Sequence, residues 1–245
     1  MGSLDGRTIL ITGAGAGIGR AVARGLAAEG ATLVLLDRNR QAIEGLYDEI
    51  EAAGGPQPGL YPLDLLGATH QDYIDLADRV GETFGALHGL LHNAAYLGFL
   101  SRIDDFDTEL WFRTMQVNLN APFLLTQVCL PLLREADDAS VVFTSDSVGR
   151  HGRAYWGAYA VSKGGVETLV QVLADELRDS TNIRVNSIDP GPTRTQLRTL
   201  AFPGEDSGSL KPPEVLVPLF SWALGPESTG VTGRALTYDD SPHLP

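Results

Sequence analysis

Seven short apolar runs recur along the chain, at 8–11, 32–36, 60–63, 87–91, 141–143, 183–188 and 235–238. Between them lie longer stretches with apolar residues at helical spacing, notably 18–28, 41–52, 73–84, 109–133 and 161–177. That alternation predicts strand, helix, strand in repetition, which is the pattern of a parallel sheet. The early runs TILI and TLVLL are continuously apolar, as expected when helices cover both faces of the sheet. The expected fold is therefore a single doubly wound α/β domain of the Rossmann type, with about seven parallel strands. No composition shift or internal repeat divides residues 1–245. The least regular stretch, 190–213, is rich in Pro, Gly, Thr and Ser and is expected to form a substrate loop or flap.

Chemistry concentrates first where the opening strand gives way to a helix, at Thr12-Gly13-Ala14-Gly15-Ala16-Gly17-Ile18-Gly19. Glycines in that place permit a tight turn, bring backbone N–H groups to a pyrophosphate and let helix and strand pack closely. Asp37 ends the second run, where a carboxylate can accept from adenosine ribose hydroxyls and would repel a 2′-phosphate, so NAD is favoured. Arg38 is the counter-argument, because a guanidinium there could grip that phosphate and admit NADP. Asp64, followed by Leu65 after the third run, either meets the adenine amino group or simply closes a strand-end turn.

The second concentration is Tyr159-Ala160-Val161-Ser162-Lys163, whose i, i+4 spacing puts phenol and ammonium on one helix face. A neighbouring cation stabilises phenolate, so the Tyr159 pKa is expected to fall toward neutrality. Only Lys163 and Lys211 are lysines.

With these pieces in order, the whole chain resembles the short-chain dehydrogenase/reductase family in its single-domain form, and within it the YciK-type oxidoreductases. The matching segments are Thr12 to Gly19, Asp64, Asn93-Ala94-Ala95, Asn118, Tyr159 with Lys163, and Pro190-Gly191-Pro192-Thr193-Arg194-Thr195. The resemblance implies an NAD(P)-dependent oxidoreductase acting on a secondary alcohol or carbonyl. In it Tyr159 is the general acid/base, Lys163 holds the nicotinamide ribose, and Asn118 binds a water of the proton relay. Asn93, Ala94 and Ala95 would pass beside the adenosine ribose; Pro190, Gly191, Thr193 and Thr195 would contact carboxamide and pyrophosphate. It also implies pairing of long helices across two-fold axes, hence a homodimer or homotetramer.

One departure bears on the reaction. Thirteen residues before Tyr159, where the family's catalytic serine is expected, stands Asp146, in Thr144-Ser145-Asp146-Ser147. Losing a hydrogen-bond donor to the substrate oxygen costs about 3–4 kcal/mol of transition-state stabilisation. A carboxylate ~4 Å from a developing oxyanion adds about 4 kcal/mol at an effective dielectric near 20. Together these approach a ~10⁵-fold loss for carbonyl reduction. Either Asp146 is protonated, Ser147 substitutes for it, Asp146 accepts from an alcohol or amine substrate, or the chain binds a dinucleotide with little or no turnover.

Composition narrows the partners. Eighteen basic and 31 acidic residues leave a formal charge of −13, which lacks the positive footprint that nucleic acid or an anionic membrane needs. The single Cys129, in TQVCLPLL, reads as a buried small hydrophobe. His70, His88, His92, His151 and His243 show no ligand spacing, so no metal is expected. The opening MGSLDGRT has no basic stretch leading into a long apolar one, and the expected location is the cytoplasm. Tyr96, Leu97, Phe99, Tyr155 and Trp156 are expected to lend the pocket apolar walls.

Overall fold

The apolar runs become strands β1 (Thr8–Thr12), β2 (Thr32–Asp37), β3 (Gly59–Pro62), β4 (Gly89–His92), β5 (Ala139–Thr144), β6 (Ile183–Asp189) and β7 (Ala235–Thr237) in the computed structural model, which describes residues 2–239. They form one parallel sheet in the order β3-β2-β1-β4-β5-β6-β7. Leu10 lies between Val34 and Leu90, so the register joins the two halves of the sheet through β1. The order reverses between β1 and β4, which opens a crevice beyond the carboxyl ends of the strands.

Alternate side chains of each strand feed opposite core layers. Ile9, Ile11, Leu33 and Leu35 pack with helices α1 (Gly17–Ala28), α2 (Arg40–Ala52) and a later helix, Val217–Leu224. Leu10, Val34, Leu36 and Val141 pack with α3 (His70–Phe84) and with two later helices, Ala121–Arg134 and Gly157–Leu177. Cys129 is fully buried in this second layer, and burial pushes its thiol up to about 12.

The expected 109–133 helix is broken in a specific way. It runs as α4 (Thr108–Met115), one π-helical turn (Gln116–Asn120) and α5 (Ala121–Arg134). Strand β5 is followed by a one-turn helix, α6 (Ser147–Arg150), and then by α7 (Gly157–Leu177), which starts four residues before the apolar periodicity does. Two elements have no counterpart among the expected ones. The segment 190–213 holds a helix, α8 (Gln196–Ala201), while α9 (Val217–Leu224) is buried along most of its length and so shows no polar stripe to mark it. Among the described residues no helix is long and apolar enough to cross a membrane. His243 lies outside the described residues.

Candidate active site

The glycine-rich turn is shaped by contacts that leave no room for side chains. Gly13 takes φ +67° and Gly17 φ +53°. A Cβ on Gly19 would lie 2.1 Å from the Gly13 carbonyl oxygen, and one on Gly15 would lie 3.0 Å from the Asp37 carboxylate. Gly15 and Gly19 thus serve packing behind the turn, whereas Gly13, Gly17 and Ile18 line a cavity of about 490 Å³ at the switch point. A Cβ on Gly17 would only touch the Thr195 methyl across that cavity, at 3.4 Å, so the positive φ is what calls for glycine there. This is a cradle for an elongated anionic group such as a dinucleotide pyrophosphate.

The Asp37 carboxylate is fixed by two backbone donors: Gly15 N–H to Oδ2 at 2.9 Å and Asn39 N–H to Oδ1 at 2.9 Å. Arg38 is exposed on the same wall and makes no ion pair or hydrogen bond among the described residues. Asp64 closes a strand-end turn, accepting from Leu66 N–H at 3.1 Å, yet it also lines the cavity beside Leu65. The turn reading of Asp64 is the one its hydrogen bond shows. Asn93 clasps the turn: its amide donates to the Thr12 and Gly13 carbonyls, and its Oδ1 accepts from Thr144 Oγ1 at 3.3 Å. Ala94 and Ala95 continue along the wall.

At the other end of the cavity, α7 presents Tyr159 and Lys163. The Tyr159 hydroxyl makes no hydrogen bond among the described residues, while Lys163 Nζ donates to the Thr144 carbonyl at 2.6 Å and sits 5.6 Å from the Tyr159 ring centre. The expected drop in the Tyr159 pKa does not occur. Burial, then the Asp146 and Asp189 carboxylates, push the phenol up, and burial pulls the Lys163 ammonium down to about 8. The i, i+4 rule placed the pair correctly, but it carried no information about desolvation or about two acids converging from other elements.

Asp146 does line the cavity. It caps α6, with Oδ1 accepting from Val148 N–H at 3.0 Å and from Ser147 Oγ at 3.3 Å, whereas Oδ2 accepts nothing among the described residues. Neither flanking serine offers a free proton: Ser145 Oγ donates to Glu167 at 2.6 Å, and Ser147 Oγ is spent on Asp146. Asn118 lies off the cavity wall, in the π turn. Its Oδ1 accepts from Tyr96 N–H at 2.7 Å and its Nδ2 donates to the Tyr96 carbonyl and to Ser162 Oγ. With all of these polar atoms engaged, the Asn118 side chain holds β4's exit loop against α7; the expected water contact is not available to its amide protons.

The loop after β6 completes the wall. Pro190, Gly191 at φ +63°, and the buried Thr193 all line it, and Thr195 caps α8 through Arg198 N–H. Tyr96 and Trp156 line it too, with Leu197 and Phe202 from the α8 segment. Phe99 and Tyr155, expected in the pocket, are instead 75% and 57% exposed and do not line it. His151 is likewise exposed and off the wall.

Sequence reasoning missed a buried ionic cluster. Arg150 donates to Glu167 at 2.8 Å and to Asp189 at 2.9 Å, while Ser187 Oγ donates to Glu167 at 2.8 Å. It ties α6, α7 and β6 together.

The family model for short chain dehydrogenases matches residues 7–206. The chain belongs to the short-chain dehydrogenase family. Its relatives in that family include the oxidoreductase YciK of Escherichia coli K12, 46% identical over 98% of this chain and 93% of the relative. The cyclohexanol dehydrogenase of Acinetobacter sp. SE19 is 32% identical over 96% of this chain and 94% of the relative. A short chain dehydrogenase of Shigella flexneri 2a, solved in complex with NADP, superposes with a TM-score of 0.93 at 45% identity, covering 96% of this chain and 97% of that one. As a short-chain dehydrogenase the chain is an oxidoreductase, and its cavity runs from the glycine-rich turn to a tyrosine–lysine pair.

Proposed function

We propose that the protein is a nicotinamide-dinucleotide-dependent oxidoreductase that moves a hydride to or from a small secondary-alcohol or carbonyl-type carbon, with Tyr159 handling the proton. The observation that carries this reading is the unengaged Tyr159 hydroxyl beside Lys163 on the wall of a cavity that the glycine-rich turn also lines. Hydride donation or uptake is the chemistry a nicotinamide ring would supply when bound. Gly13, Gly17 and Thr195 would hold the pyrophosphate, Asp37 the adenosine ribose, and Lys163 the nicotinamide ribose. The 190–213 segment serves as the flap over the substrate end, hinged at Gly191 and drawn in by Phe202 against Trp156.

NAD is the preferred dinucleotide in this reading, because the Asp37 carboxylate is held by two N–H groups at the place a 2′-phosphate would enter. The NADP bound to the Shigella relative favours the opposite preference, and the unpaired Arg38 is the residue that would carry it. We also infer a homo-oligomer, from apolar side chains exposed on α4, α5 and α7.

Calorimetric titration with both dinucleotides, followed by turnover on a panel of alcohols, ketones, amines and imines, tests the proposal. Tyr159→Phe is expected to lower kcat/KM by about 10²–10⁴-fold while leaving dinucleotide affinity nearly unchanged. Tight dinucleotide binding with no turnover on the panel would establish a binding protein in place of an enzyme. Tighter NADP(H) binding would pass the preference from Asp37 to Arg38.

A further inference from the structure

The substrate end of the cavity has an unusual balance of charge for a site that would stabilise a developing oxyanion. Its wall carries Asp146, with Oδ2 unengaged, and Asp189, whose oxygens accept from Arg150 and from Gly191 N–H. The cations nearest them are engaged, Arg150 with Asp189 itself, and Lys211 stands beside Gly191 with its Nζ over the Tyr238 ring. Lys163 Nζ donates to the Thr144 carbonyl, Arg150 is shared between Glu167 and Asp189, and Arg198 is forked by Glu205 at 2.6 Å through each of two nitrogens. Of the hydroxyls nearest Asp146 in sequence, Ser145 donates to Glu167 and Ser147 to Asp146 Oδ1. The remaining wall is apolar and aromatic, from Trp156, Leu197, Ala201 and Phe202. A carboxylate edge in an aromatic pocket is an acceptor for a cationic N–H group.

We propose that the heteroatom on the reacting carbon is nitrogen, so that the protein interconverts a cyclic or secondary iminium ion and its amine, with Asp146 Oδ2 accepting from the nitrogen. This deepens the proposed function and rests on it. In the balanced step, R₂C=NHR′⁺ and reduced dinucleotide give R₂CH–NHR′ and oxidised dinucleotide. The hydride forms the new C–H bond and the C=N π pair becomes the nitrogen lone pair; no proton moves in that step, and the proton that Tyr159 handles is the one the amine nitrogen then takes up to become ammonium.

The same carboxylate that opposes an alkoxide helps here for an electrostatic reason. An alkoxide gains negative charge as hydride arrives, whereas an iminium loses positive charge, so Asp146 binds the reactive, protonated form and meets no like charge in the transition state. The Tyr159 hydroxyl, unengaged in the protein, donates to the lone pair as it forms. In the oxidising direction Asp146 instead stabilises the cation as it appears. Asp146 is then a catalytic residue, in contact with substrate, and its N-cap bond to Val148 fixes the direction of its free oxygen.

Two ring pairs of equal size provide the test. Pyrrolidinium and cyclopentanol are titrated calorimetrically into protein saturated with oxidised dinucleotide; separately, 1-pyrroline and cyclopentanone are offered with reduced dinucleotide. Pyrrolidinium is expected to bind at least about tenfold more tightly than cyclopentanol, a preference lost in Asp146→Asn and Asp146→Ser, both of which keep a capping oxygen for α6. The kcat/KM ratio of 1-pyrroline to cyclopentanone is expected to fall by about 10²-fold or more in Asp146→Ser, with dinucleotide affinity unchanged. The inference is overturned if pyrrolidinium binds no more tightly than cyclopentanol, if neither ring binds at high millimolar concentration, or if the ratio is unmoved by both substitutions. Cyclopentanone reduction with an unmoved ratio would sink the amine assignment alone; failure to bind either dinucleotide would sink the oxidoreductase reading with it.

Discussion

Lys163 shows how far a single residue can be read before its surroundings are known. Its spacing from Tyr159 was legible by counting along the chain, whereas the oddity of Asp146 shows only against the resemblance to the family. Burial was not legible, and burial decides the sign of both pKa shifts. Lys163 titrates near 8 in the folded protein against about 10.5 unfolded, so between those values the unfolded chain holds the extra proton. Folding is then disfavoured most at and below pH 7, and stability recovers as pH rises from about 8 toward 10.5. Urea unfolding of the native protein and of Lys163→Met at pH 7.0 and 9.5 checks this. Relative to the variant, the native protein should gain about 2 kcal/mol over that interval. A constant difference between the two would mean that Lys163 is not desolvated.

At the scale of elements, the glycine-rich turn separates residues that face the cavity from residues that only let it close. Gly19→Ala would drive a Cβ into the Gly13 carbonyl and the Asn93 amide, at 2.1 and 2.6 Å, with no flexible side chain to yield on the backbone side. A loss of about 1–3 kcal/mol in stability is expected, with dinucleotide affinity falling at least tenfold as the turn is displaced. Gly45→Ala in α2 is the control: nothing lies within 4 Å of its Cβ, and a gain of roughly 0.4–1 kcal/mol is expected. Equal effects at both positions on thermal melts would refute the packing argument. The strands and the five long helical stretches were readable because their periodicity is local. The π turn at Gln116–Asn120 was not, since its cause is long-range: Asn118 reaches the Tyr96 backbone and Ser162. The Arg150–Glu167–Asp189 cluster was unreadable for the same reason, being assembled from α6, α7 and β6.

The whole molecule combines a charge of −13 with apolar side chains left outside its core. Phe112 on α4, Phe123 on α5, and Val161 and Val172 on α7 are 66%, 47%, 49% and 47% exposed, and the inner faces of α5 and α7 already fill the second core layer. Covering such side chains is worth roughly 1.5–3 kcal/mol each from full exposure to full burial, and about half that from where these stand, which favours association against its entropic cost. Two chains of the same sign repel, and at ~0.15 M salt that repulsion is already screened beyond about 8 Å. An apolar interface between acidic copies therefore predicts that added salt strengthens association, the reverse of an interface built on ion pairs. Light scattering across a dilution series should show a dimer or tetramer of the 26.2 kDa chain whose dissociation midpoint moves to lower concentration as sodium chloride rises. Phe123→Glu with Val172→Glu should shift the population to monomer without lowering the melting temperature of that monomer, because neither side chain is in the core. A native protein that stays monomeric at every salt and concentration would show that these side chains have another use.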